Sequence, residues 1–209
     1  MIDAHWLLFL VASLVVIATP GQDMILVMSK SLGHGTRAGL VTAAGVSVGL
    51  LGHTLLATLG LGALLRASDT LFVALKLIGA GYLAVLGVQL LRTRATQLET
   101  AASAPLSHRR LFLAGALSNL GNPKIAVFFF AFLPQFVAPG AAHLTLAVFV
   151  LGTLFAALTF LVKGPVAVFA GRLSAGLRAR PRVLTGVYRS SGVVMLGLAL
   201  RLALSRRDG

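Results

Sequence analysis

"TPGQD", residues 19–23, follows the apolar run WLLFLVASLVVIA (Trp6 to Ala18) and is followed at once by further apolar residues from Met24. In a water-soluble chain a proline, a glycine, an amide and a carboxylate in succession would read as a surface turn. The composition excludes that reading. The 209 residues are 57% hydrophobic and only 11% charged, with a mean hydropathy of +0.94, which places the chain among membrane-spanning proteins. TPGQD is therefore a break inside a membrane helix, and the rest of the sequence is organised around it.

The formal net charge of +13 does not indicate nucleic acid. A nucleic-acid binder sets its Lys and Arg on a polar surface that this chain lacks. There is no cysteine, which removes disulfides, thiolate metal sites and thiol redox chemistry together. The five histidines, at 5, 34, 53, 108 and 143, have no zinc or haem spacing, so no metal and no cofactor is expected. The N-terminal stretch lacks both a basic n-region and a small-x-small cleavage site and reads as a retained first span.

Six segments are long and apolar enough to span: 6–30, 39–65, 70–91, 111–136, 144–170 and 188–204. The expectation is an all-α polytopic membrane protein. The loops after spans one, three and five carry eleven of the eighteen Lys and Arg, against four on the opposite side. By the positive-inside rule the basic loops 31–38, 92–110 and 171–187 are cytoplasmic and both termini lie outside. The polar stretch from Arg92 to Arg110 reads as a cytoplasmic linker between a first three-helix unit, 1–91, and a second, 111–209. Because three spans is an odd number, two related halves must be inverted repeats.

Helices 1 and 4 are expected to be broken near the midplane. Thr19 reads as an N-cap, Pro20 as the first helical residue and Gln22 as the partner in a capping box. Asn122 and Pro123 in "NPK" give the same start in span four. A proline in a helix interior costs about 3 kcal/mol or more and frees polar backbone that hydrocarbon cannot satisfy. Such breaks at matching positions mark the binding site of a transporter, with helix N-termini suited to an anion. Lys124 adds a cation for a carboxylate, and Asp23 is the one acid inside a span, suited to an ammonium group or a proton. A structural Asp23–Lys124 ion pair is the competing reading.

Two further lysines and a histidine fall inside spans. Lys76 is close enough to a span end to snorkel. Lys163, before Pro165 in "VKGP", is a candidate for a cytoplasmic vestibule. His53 is either an interhelical hydrogen bonder or a second proton-coupling candidate beside Asp23. "GVSVG" (Gly45 to Gly49) spells G-x-S-x-G, and with His53 nearby raises an intramembrane serine hydrolase; it also spells G-x-x-x-G, a close-packing face that Gly39 and Gly52 extend. Gly79, Gly81 and Gly87 suggest the same packing in span three. A passive channel would need a continuous polar stripe, whereas the polar residues cluster at the two breaks.

TPGQD with the following MILVMSKSLGHGTRAGL, then LKLIGAGYLAVLGVQLLR and GNPKIAVFFFAFLPQF, resembles the LysE/RhtB family of bacterial amino-acid exporters over nearly the whole chain. The resemblance implies a six-span inner-membrane secondary transporter, not an enzyme, that exports an amino acid in exchange for protons. It leaves a homo-oligomer open. Thr19, Pro20, Gly21 and Asp23 match the first motif of the family, and Asn122, Pro123 and Lys124 the second, as substrate-binding positions. Gln22 stands where the family usually has proline. The NPK form resembles the branch for homoserine, threonine or leucine; basic amino acids or a related metabolite are the alternative.

Overall fold

The computed structural model describes residues 4–67, 69–92, 106–137, 144–172 and 181–204. The linker 92–110 therefore lies largely outside the described residues, as does 173–180 of the expected basic loop 171–187, whose remaining residues are helical rather than loop. All regular structure among the described residues is helical. In chain order it comprises α1 (Ala4–Ala18), α2 (Gln22–His34), α3 (Thr36–Ala67), α4 (Asp69–Arg92), α5 (His108–Leu120), α6 (Pro123–Val127), α7 (Leu144–Arg172) and α8 (Pro181–Leu204). After α6 the chain passes through one π turn, Phe128–Phe132, and a 3-10 turn, Leu133–Phe136.

Three segments, Thr36–Gly60, Val73–Arg92 and Leu144–Gly171, are long and apolar enough to cross a membrane. Two more qualify as bent pairs, α1 with α2 at 53° and α5 with the Pro123–Phe136 segment at 51°. Both bends fall at the two expected breaks. The expected sixth span, 188–204, corresponds to α8. Arg189 and Arg201 lie within it.

The expected loop 31–38 is not a loop. The α2 helix continues to His34, and α3 begins at Thr36, with only Gly35 between them. Gly35 has φ 86°, a left-handed conformation in which a side chain would clash, and its N–H caps the carbonyl of Ser31 at 3.0 Å. A single glycine thus replaces a connector.

The α3 helix is packed by α2, α5 and α7, while α4 pairs with α8. Glycines set the closest of these approaches. A Cβ on Gly45 would strike the Phe112 carbonyl of α5, and one on Gly115 would strike the Thr42 carbonyl of α3. Gly49 lies against Ala116 and Asn119, and Gly87 and Gly192 approach each other's carbonyls. Between helices surrounded by lipid there is little hydrophobic drive, so close backbone approach supplies the attraction through dispersion. GVSVG is accordingly a packing face. Ser47 sits mid-helix in α3, and the strand-to-helix elbow a serine nucleophile requires is not formed. Gly81 departs from the expected glycine contacts, since nothing lies within 4 Å of its Cβ position.

At one end of the bundle Phe9, Phe128, Phe129, Phe132, Phe136 and Phe155 form a buried aromatic cluster. Its tightest pair, Phe128 and Phe155, has ring centroids 4.4 Å apart. At the other end α2, α3 and α7 meet through Met24, Met28, Val27, Ala43, Ala167 and Ala170. Along α7 the polar cluster described below lies between these two apolar layers, with Lys163 between Phe155 of the first and Ala167 of the second.

Gly45→Ala should lower the thermal unfolding midpoint of the detergent-purified protein through overpacking worth about 1–3 kcal/mol. Gly60→Ala, whose Cβ would meet nothing within 4 Å, should leave the midpoint unchanged. Equal midpoints for the two variants would show that the α3–α5 crossing does not depend on backbone approach.

Candidate functional site

Three buried stripes, each at four-residue spacing, aim the site residues inward. On α2 the stripe is Asp23, Val27 and Ser31; on α5 it is Leu111, Gly115 and Asn119. On α7 it is Phe155, Thr159, Lys163 and Ala167. Residues four apart share a helix face, so burying the apolar members buries the polar ones with them. Ser31 Oγ donates to the Ala167 carbonyl and ties α2 to α7.

The first break has a different origin from the one expected. Thr19 does not cap α2; its Oγ1 donates backwards to the Val15 carbonyl at 2.6 Å and closes α1. Pro20 and Gly21 link the two helices, and Gly21, extended and without a side-chain oxygen, is the N-cap residue of α2. Gln22 does not fold back into a capping box either. Its Nε2 reaches across to α5 and donates to Ser118 O and Oγ, both at 3.2 Å. The carbonyl of Val15, which also accepts the Thr19 N–H at 2.9 Å, lies within the hydroxyl's own helix turn, and that nearer acceptor wins.

The second break follows the sequence reading. Asn122 is the N-cap of α6, with Oδ1 accepting from Lys124 N at 3.1 Å, and Pro123 takes the first helical position. Its amide then does two things at once. While Oδ1 holds the helix start, Nδ2 donates to Asp23 Oδ2 at 3.1 Å.

Asp23 is the centre of the cluster, only 2% exposed. Ser118 Oγ donates to Oδ1 at 3.1 Å, and Asn119 Nδ2 donates to Oδ2 at 2.7 Å. Lys163 Nζ lies 3.4 Å from Oδ2 and is the ion-pair partner. The Asp23–Lys124 pair considered from sequence is not formed. Lys124 Nζ instead donates to the Val16 and Thr19 carbonyls, each at 3.1 Å. Those carbonyls end α1, where the last turn leaves acceptors unpaired and the helix dipole is negative, so an ammonium is a natural partner. A Cβ on Gly21 would stand 3.2 Å from Nζ. Glycine there lets Lys124 lie over the break.

Lys163, expected beside a cytoplasmic vestibule, is buried in this cluster instead. His53, on α3, is one step removed. Its Nε2 faces the Asn119 carbonyl at 3.1 Å, an arrangement that requires the proton on Nε2, and its ring stacks on Phe129 with centroids 5.7 Å apart. His53 thus forms the interhelical hydrogen bond, to the residue whose side chain holds Asp23. Ser118 and Asn119 are the site residues that sequence reasoning misses. Their signal is two adjacent polar residues in "ALSNLGNPK", ahead of the break rather than at it. Among the described residues no group of three His, Cys, Asp or Glu is placed to hold a metal ion.

The cluster therefore joins one carboxylate and two ammonium groups where two broken helices meet α7. Thr19, Gly21, Asp23, Asn122 and Lys124 come together directly, and Pro20 and Pro123 shape the two breaks.

A family model described as LysE type translocator matches residues 14–206. The chain is 34% identical over 205 residues to an uncharacterized membrane protein of Vibrio cholerae, covering 98% of this chain and 99% of that one. It is 33% identical over 202 residues to a homoserine/homoserine lactone efflux protein of Salmonella typhimurium, covering 96% and 97% of the two chains. Identity to a leucine efflux protein of Klebsiella pneumoniae is 27% over 200 residues, covering 95% and 94%. No solved structure matches the chain.

Breaking a buried pair by removing one partner costs about 3–5 kcal/mol, because the other charge is left uncompensated. Asp23→Asn should therefore lower the unfolding midpoint strongly, and adding Lys163→Met to it should recover most of the loss. A double variant no more stable than Asp23→Asn alone would show that Lys163 is not the charge Asp23 balances.

Proposed function

The chain belongs to the LysE type translocator family, and from that premise we propose that it exports small neutral amino acids of the homoserine, threonine and leucine class across the bacterial inner membrane in exchange for protons. The observation that carries this reading is the buried Asp23, Lys124 and Lys163 cluster at the meeting of the two broken helices. Ionisable groups at membrane depth are expensive and mark substrate or ion paths. In this reading Asp23 receives the substrate's ammonium group, and Lys124, over the first break, faces its carboxylate. Thr19, Pro20, Gly21, Asn122 and Pro123 form the backbone frame.

The charge balance favours neutral over basic substrates. With both lysines protonated the cluster has one more positive than negative charge, so a zwitterion adds no net charge where a lysine or arginine substrate would add another cation. The relatives named for homoserine, homoserine lactone and leucine efflux support the same class.

Asp23 is the proposed proton-coupling residue, with His53 linked to it through Asn119. Each proton entering down the membrane potential contributes about 2.3 kcal/mol per 100 mV. For access we propose two inverted three-helix repeats, with α8 as the sixth span, the basic segments cytoplasmic and both termini outside. The pairings α3 with α7 and α4 with α8 support it, because exchanging the two halves carries each pairing onto itself.

Energised cells loaded with labelled threonine, homoserine and leucine, or inside-out vesicles supplied with them from the outside, would test the reading, with wild type, Asp23→Asn and Lys124→Met at equal membrane abundance. Gradient-driven transport should be present in wild type and fall by about 100-fold or more in both variants. Full transport by both variants would make the cluster structural, and no transport of any of the three by wild type would sink the substrate class.

A further inference from the structure

The two buried ammonium groups are held in different ways. Lys124 is anchored on two main-chain carbonyls at 3.1 Å. Among the described residues, the hydrogen-bonding partner of Lys163 is Asp23 Oδ2, at 3.4 Å, the longest contact that carboxylate makes. Asp23 does not need Lys163 to hold its position. Three neutral donors, on Ser118, Asn119 and Asn122, already fix both carboxylate oxygens at 2.7–3.1 Å. Lys163 could leave and the carboxylate would still be aimed at the same place, with room for an ammonium group.

The α7 helix is also compliant at this point. Pro165 lies inside it and offers no N–H to the carbonyl of Leu161, so one rung of the helix is missing beside Lys163. At Gly164, between them, a Cβ position would meet only Leu40, at 3.8 Å. Neither neighbour pins the lysine backbone in place.

Building on the exporter reading, we infer that Lys163 is a tethered occupant of the subsite for the substrate's ammonium group, and that substrate binds by displacing it from Asp23. Once displaced, Lys163 is a buried cation without a counter-ion, a costly state unless the ligand supplies an anion. An amino acid supplies one in its own carboxylate. A simple amine does not. The Asp23–Lys163 pair therefore acts as a filter for zwitterions, and in the empty protein it keeps Asp23 neutralised without a bound metal cation.

The test uses the full chain purified in detergent and, of leucine, threonine and homoserine, the one that wild type binds most tightly. Binding of that amino acid, its amide (ammonium only) and its 2-hydroxy acid (carboxylate only) is measured by calorimetry. In Lys163→Met the competitor is gone, so affinity for the amide should rise by about tenfold or more while affinity for the hydroxy acid does not rise. In Lys163→Arg the pair is kept and tightened by a planar, permanently charged fork, so amide binding should fall by about tenfold. A purely structural pair would be satisfied by arginine, and amide affinity at the wild-type value in that variant overturns the inference even if Lys163→Met does not fold. Unchanged or weaker amide binding in folded Lys163→Met overturns it too. If wild type binds none of the three amino acids, the substrate reading itself fails and takes this inference with it; if wild type binds one and the variants do not shift the amide, only the inference fails.

Discussion

A carboxylate buried among membrane helices must find every partner it needs within the protein, and much of this fold follows from how Asp23 does so. It takes hydrogen bonds from Ser118, Asn119 and Asn122 and an ion pair from Lys163. Those donors come from the end of α5, the cap of α6 and the middle of α7. Satisfying one side chain thus draws both broken helices and a long helix to one point. The cost of an uncompensated buried charge, several kcal/mol, is what makes that convergence specific.

The breaks are inseparable from the cluster. Ending α1 at Ala18 leaves carbonyls that hydrocarbon cannot satisfy, and Lys124 from the other break satisfies two of them. Asn122 caps its own helix with one amide atom and holds Asp23 with the other. Each break therefore supplies the polar groups that the opposite break requires. The glycines of α3 and α5 make this geometrically attainable, because Gly45 and Gly115 bring the two backbones into direct contact and so place Asn119 beside α2.

Much of this was legible in the sequence. Two breaks at matching positions, Asn122 and Pro123 as a helix start, and Gly45 to Gly49 as a packing face are all local signals. They depend on proline's missing N–H, on a short amide side chain and on the absence of a Cβ, and these act within one turn of helix. The capping box at Thr19 failed for the same local reason. A threonine hydroxyl reaches either forward to a helix start or back to the carbonyl four residues earlier, and the sequence carries no sign of which it takes.

The pairing of charges was of another kind. From sequence, Asp23 and Lys124 stood out because each lies beside a break, while Lys163 looked peripheral. Which lysine meets the carboxylate depends on the rotation of α7 about its axis and its crossing with α2, set by Ser31 against Ala167 and by the stripe from Phe155 to Ala167. By itself, then, the sequence determined a helical membrane protein, the positions of its two breaks and the charged residues inside it, because hydropathy and proline chemistry are properties of short segments. Only the tertiary structure decided that Asp23 belongs to Lys163 and Lys124 to the end of α1, because partners more than a hundred residues apart meet through helix packing, which no local pattern encodes.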